Sequence, residues 1–133
     1  ALAAKPLPFP PGAKPDLTFS AYAVTSPAVI HCGQQTIVFN VTETNLGTAP
    51  SGPYVTHHFS NGAAFCAKSR PNLPPGTSAS FTDTCNLWNG PCDCPPTTYT
   101  IPFFGFVDPG NAIAELDETN NQSPTVIRNA QCP

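Results

Sequence analysis

Apolar and polar residues alternate with a period of two along much of the chain, and no stretch sustains a period of 3.6, so the pattern specifies strands and not helices. In the clearest case Ile37, Phe39 and Val41 alternate with Val38, Asn40 and Thr42, which assigns the first set to a core and the second to an outer face. The same reading predicts seven strands, near residues 16–24, 35–44, 53–59, 63–67, 77–83, 97–107 and 123–129. In the sixth, Tyr99, Ile101, Phe103 and Val107 share a face, interrupted by Pro102 and Gly105. A missing donor and a missing side chain suit a bulge or an edge, so this strand is expected to be irregular. Turn residues separate the runs at Asn45-Leu-Gly47, Ser60-Asn-Gly62, Pro74-Pro-Gly76 and Pro109-Gly-Asn111. The expected fold class is therefore all-β, a seven-stranded Ig-like or fibronectin-III-like β-sandwich.

Residues 1–15 break this pattern. Five prolines there remove backbone donors and hold φ near the extended value, which predicts an extended Pro-rich N-terminal arm. Leu2, Leu7 and Phe9 have nothing within such an arm to bury against, so they are expected to dock elsewhere and to act as subunit-linking residues. The sandwich domain then spans 16–133, and 133 residues suffice for one core but not two.

Composition narrows the function classes. Charged residues make up 10% of the chain and the formal net charge is −3, which offers no basic patch for nucleic acid or anionic lipid. No run of about 18 apolar residues is present, so no transmembrane segment is expected. Six cysteines in so short a chain favour disulfides and an oxidising compartment, hence an extracellular, secreted or cell-surface location. A first residue Ala1 in place of Met fits a processed secreted chain.

The candidate chemistry is sparse. Cys32, Cys66, Cys85, Cys92, Cys94 and Cys132 are expected to form disulfides, five of them at one end of the sandwich and Cys66 within reach. A metal site from His31, Cys32 and Cys92-Asp-Cys94 is the alternative, with spacing unlike a zinc knuckle. His57 and His58 are adjacent on a strand and point to opposite faces, so they cannot converge on one proton or metal. Neither a Gly-x-Ser-x-Gly elbow nor a His-Glu-x-x-His helix occurs, so no catalytic residue is assigned and the chain is expected not to be an enzyme. Glu115, Asp117 and Glu118, with Asn120 and Asn121, crowd oxygen donors as a calcium loop does, but without the EF-hand spacing. No cofactor and no metal is expected, calcium at this loop being the weaker alternative to a structural role for its side chains. Covalent glycans are expected at the sequons Asn40-Val-Thr42 and Asn121-Gln-Ser123, the second weakened by Pro124, and O-linked sugars at Thr97-Thr98 and Thr77-Ser78.

The run from Phe106 to Asn121 adds a resemblance. Val107, Asp108, Pro109, Asn111, Ile113, Glu115, Glu118, Asn120 and Asn121 follow the closing segment of the CARDB family (cell adhesion related domain found in bacteria). The likeness extends to Pro15-Asp-Leu17, Val41-Thr-Glu-Thr-Asn-Leu-Gly47 and Leu73-Pro-Pro-Gly76, so it spans about residues 15–128. It implies an Ig-like module of the spacer, stalk or adhesive kind, and a closing loop whose carboxylates and amides satisfy backbone donors. The leading functional expectation is the repeating subunit of a surface or secreted fibre, a homo-polymer linked head to tail through the arm. The alternative is a monomeric adhesive or carbohydrate-binding module with a cell-surface or sugar ligand, using Trp88, Tyr22 or Tyr54.

Overall fold

The computed structural model describes residues 12–31, 34–88 and 97–132; Leu2, Leu7 and Phe9 of the expected arm, with Cys32, Cys92 and Cys94, lie outside them. Eight strands are present among the described residues: β1 (Leu17–Ser26), β2 (Val29–His31), β3 (Gln34–Asn45), β4 (Tyr54–Ser60), β5 (Ala63–Arg70), β6 (Ser78–Trp88), β7 (Thr97–Val107) and β8 (Val126–Cys132). They form a three-stranded sheet in the order β1-β3-β6 and a five-stranded sheet in the order β2-β8-β7-β4-β5. The all-β sandwich is as the alternation predicts, but the count is eight and not seven. The additional strand, β2, is three residues long and pairs in parallel with β8, too short to register as an alternation.

The inward set of β3, Ile37, Phe39 and Val41, is buried, and with Val24, Ile30, Cys85, Leu87, Ile101, Phe103 and Ala130 it forms the main core. A register shift between Phe19 and Ala21 turns both Phe19 and Tyr22 of β1 inward, where a strict alternation would expose one of them. A second cluster, Leu17, Tyr54, Leu73 and Val107, closes one end.

Strand β7 corrects the expectation of an edge. It lies between β8 and β4 and pairs with both without a register shift. Pro102 is tolerated because the β4 ladder stops at Phe103, and its carbonyl accepts from Asn61 N in the β4–β5 turn at 3.1 Å. Gly105 is required by packing: a Cβ there would stand 2.5 Å from Tyr22 Cε2 and 2.7 Å from Phe19 Cζ.

The turns follow their sequences. Asn61 (φ 50) and Gly62 (φ 80) supply the two left-handed residues of a tight β4–β5 hairpin. Gly76 (φ 72) takes the third position of a Pro-Pro-Gly turn closed by Thr77 N donating to Pro74 O at 3.3 Å. At Gly47 a Cβ would meet backbone atoms only, at 2.3 Å from Lys14 O and 2.6 Å from Asp16 N, because the entering chain crosses directly over it. Lys14 and Pro15, the last residues of the expected arm, are thereby held in the domain: Thr48 N donates to Lys14 O at 2.9 Å and Leu116 N to Pro15 O at 2.9 Å.

These contacts order the glycine substitutions. G105A is expected to lose about 1–3 kcal/mol, the usual cost of overpacking. G47A should lose more, since backbone and not a ring must move, whereas G110A, with open space around its Cβ, should stay within about 0.5 kcal/mol of the parent. Urea denaturation of the three variants checks the order, and an unchanged G47A would refute the packing argument.

Candidate functional site

The densest polar chemistry lies inside the sandwich. Glu43 continues the inward parity of Ile37, Phe39 and Val41, and Asp83 shares that of Cys85 and Leu87, so the three-stranded sheet carries two buried carboxylates. Arg70, inward from β5 of the opposite sheet, reaches both. Its Nη2 donates to Glu43 Oε2 at 2.9 Å and to Asp83 Oδ2 at 2.6 Å, and Nη1 donates to Asp83 Oδ1 at 2.8 Å. The guanidinium carbon also stands 3.9 Å from the Phe81 ring centroid. Tyr54 and Thr56 hydroxyls donate to the Glu43 oxygens at 2.7 and 2.9 Å. On the other flank His58 Nε2 lies 2.7 Å from Asp83 Oδ2 and its Nδ1 lies 2.7 Å from the Tyr22 hydroxyl, while its ring stacks on Phe39 at 4.1 Å.

Tyr22, His58 and Asp83 thus stand in the order nucleophile, base, orienting acid. The electrostatics oppose that use. Burial, and then the Asp83 charge, push the Tyr22 hydroxyl far above its ordinary pKa, and burial and Glu43 do the same to Tyr54. Both phenols therefore stay protonated donors. Burial alone would raise the Asp83 pKa, but the His58 and Arg70 hydrogen bonds and charges outweigh it and hold the carboxyl well below the usual range. The arrangement fixes charges in place and activates none of them.

Beside it, Cys66 of β5 is bonded to Cys85 of β6, a covalent link between the sheets with S–S 2.11 Å. Among the described residues no cysteine is free. Cys132 ends β8, at the same end of the sandwich as the start of β3 and the end of β6.

The acidic loop after β7 is a set of joints, with its carboxylates used as acceptors for the chain's own donors. Glu115 is buried with both oxygens occupied: Leu17 N donates to Oε2 at 2.6 Å and Asn121 Nδ2 to Oε1 at 2.7 Å. Burial dominates over these bonds and raises its pKa, which disfavours the ionised form a cation needs. Asp117 accepts from the Thr119 backbone and hydroxyl. Asp108 accepts from Ala112 N and Ile113 N at 3.0 and 2.9 Å. Among the described residues no three His, Cys, Asp or Glu side chains, Glu118 included, form a group that could hold a metal.

The sequons separate. Asn121 is corrected as a glycosylation site: it is buried, and its Nδ2 donates to Val107 O as well as to Glu115. Asn40 is exposed on β3. Of the expected stacking residues, Tyr54 is buried and Tyr22 is half-buried in the polar bridge, so only Trp88, 69% accessible, presents its ring. His57 faces outward and His58 inward, as adjacent strand positions require.

The two outer faces differ in kind. That of the three-stranded sheet is a lattice of hydroxyls and amides, with Thr44 to Ser78 at 2.7 Å, Thr44 to Ser20 at 2.9 Å, Thr42 to Ser80 at 2.9 Å and Thr82 to Asn40 at 3.1 Å. That of the five-stranded sheet is aromatic. Phe59 and Phe104 stack at 4.7 Å, Phe106 lies beside His57 in the ladder, and Val55, Pro102 and Ile127 complete a face whose ladder positions carry no Asp, Glu, Lys or Arg. A groove of about 310 Å³ borders it, lined by Val55, His57, Pro109 and Ile113.

Comparison with known proteins agrees with this architecture. The CARDB family model matches residues 14–125. A crystal structure of a CARDB domain from Pyrococcus furiosus, solved with di-metal ions, is 21% identical, covers 88% of this chain and 89% of its own, and superposes with a TM-score of 0.62. The solution structure of that domain gives the same identity and score over 90% and 98% of the two chains. A domain of a protein described as a cell-surface protein of Methanosarcina acetivorans is 19% identical over 88% and 92%, with a TM-score of 0.59. No curated protein matches the chain.

Two outcomes are expected from the polar bridge. R70M leaves two carboxylates buried without a cation and should cost about 3–5 kcal/mol in denaturant unfolding, with part restored in R70M/E43Q. Because the folded Asp83 pKa is depressed, its contribution to stability is complete above pH about 4, the ordinary carboxylate value, and is lost as pH falls through the folded value. Melting temperatures from pH 2 to 7 should therefore fall less steeply with acid in D83N than in the parent; parallel curves would refute the coupling.

Proposed function

The chain belongs to the CARDB family, and on that footing we propose that it is a non-enzymatic, extracellular or cell-surface adhesion module whose contact surface is the outer face of the five-stranded sheet. The observation that carries the reading is the Phe59–Phe104 stack with Phe106, Val55, Pro102 and Ile127 on a face free of charged ladder positions, Ile127 being 60% accessible. Apolar surface of this kind on a soluble domain marks contact with another macromolecule. The inter-sheet disulfide supports an oxidising compartment. No helix among the described residues is long and apolar enough to cross a membrane. The di-metal ions of the Pyrococcus domain have no counterpart donor group among the described residues, and the proposal needs none.

One observation favours a more specific reading, head-to-tail association through the arm. Lys14 is fastened to Thr48, just beyond β3, and Pro15 to Leu116, in the loop after β7, so the arm joins the domain among loops and away from the ladder positions of the aromatic face. Leu2, Leu7 and Phe9 of one copy would meet that face on the next, each contributing about 1.5–3 kcal/mol if fully enclosed.

Sedimentation and electron microscopy of native material separate the two. In the adhesive reading F104S/F59S abolishes attachment to cells of the source while the circular dichroism spectrum is retained, and unchanged attachment sinks it. In the head-to-tail reading native material is polymeric and deleting Ala1–Lys14 makes it monomeric; strictly monomeric native protein removes this reading alone.

A further inference from the structure

We propose that Asn40 carries an N-linked oligosaccharide that covers the outer face of the three-stranded sheet, making the module two-faced: one side sugar-coated, the other bare and aromatic.

Three observations converge on this residue. Asn40 heads the sequon Asn40-Val41-Thr42 in the middle of β3, with its side chain exposed. Its Oδ1 accepts from Thr82 Oγ1 at 3.1 Å, which orients the amide, while among the described residues Nδ2 has no hydrogen-bond partner. Asn121, the competing sequon, is the reverse: buried, with Nδ2 donating twice. The third observation is space. Across the ladder Asn40 meets Ala23 on one side and Thr82 on the other, and Ala21, Ala23, Thr42, Ser80 and Thr82 border a shallow depression of about 380 Å³ beside it. A pyranose ring laid there meets small side chains and hydroxyl groups, with no charge to desolvate and no bulky group to displace.

The chemistry is redox-neutral glycosyl transfer from an activated glycosyl phosphate-type donor. The carboxamide nitrogen forms a bond to the anomeric carbon as the bond from that carbon to the phosphate oxygen breaks. The phosphate leaves with the electron pair, and one N–H proton is released. Thr42 supplies the hydroxyl that defines the acceptor sequence.

The surface composition gives the modification its consequence. With charge confined to 10% of residues, the hydroxyl face is kept from self-association by neither repulsion nor bulk. A glycan there adds hydration and excluded volume on one side only, so association is directed to the aromatic face. The attachment itself does not depend on which partner that face takes.

Protein purified from its native source, and the variants N40Q, T42V and T42S expressed in that source, are digested and mapped by mass spectrometry. The expected result is an Asn40 peptide carrying whole monosaccharide increments in the parent and in T42S, lost in N40Q and T42V, with the Asn121 peptide unmodified throughout. An unmodified Asn40 in native protein overturns the proposal, as does modification that persists in T42V or appears at Asn121.

Discussion

One guanidinium shared by two carboxylates sets the geometry of this sandwich. Glu43 and Asp83 both project from the three-stranded sheet into the interior, and Arg70 reaches them from the other. Taking these charges out of water costs several kcal/mol each, and the cost is recovered only if distances and angles hold. The sheets therefore cannot slide or change register without breaking bonds to Arg70. Cys66 and Arg70 lie four residues apart on β5, and Cys85 and Asp83 two apart on β6, so a covalent and an ionic clamp sit side by side along one edge of the core. Burial first, and then the carboxylate charges, keep the Tyr22 and Tyr54 hydroxyls protonated. An arrangement that on paper orders Tyr, His and Asp for catalysis is thereby a rigid strut.

The other end depends on amides and carboxylates used as joints. Asn45 fills all its hydrogen-bonding capacity: Oδ1 accepts from Asp16 N and Gly47 N, and Nδ2 donates to Ala49 O and Leu73 O. Glu115 takes the first amide of β1, and Asn120 Nδ2 reaches Asp16 at 2.9 Å. These residues form the segments by which the family is recognised, and their work is to pin the start of β1 between two loops. The buried members of the signature therefore specify a fold while leaving the partner open, since Asn45, Glu115 and Asn121 are spent on internal bonds.

Much of this was readable as parity. Period-two alternation located the inward residues of β3 and β7, and carried two positions further it places Glu43 inside as well. Arg70 was out of reach because the β5 strand was expected to stop at residue 67, three positions short, and no alternation marks a strand of Ala, Lys and Ser. Gly105 and Pro102 read as edge signals, because a sequence shows what a residue lacks but not the rings and turns that occupy the space. The loop carboxylates read mainly as backbone acceptors, but their partners Leu17 N and Asn121 Nδ2 could not be named, because one lies 98 residues away and the other across the loop.

The asymmetry of the two faces constrains any assembly. If aromatic faces met each other, the contact would be isologous and would close at a dimer; if the arm of one copy occupied the face of the next, it would be heterologous and would propagate. The alternating Pro6, Pro8 and Pro10 bear on this choice, because in an extended chain their missing donors all fall on one side. An extended segment of this sequence would have free donors on one side only, at Lys5, Leu7 and Phe9. An arm laid on a neighbour's face would thus leave no second donor-rich edge of the kind that leads sheets to aggregate.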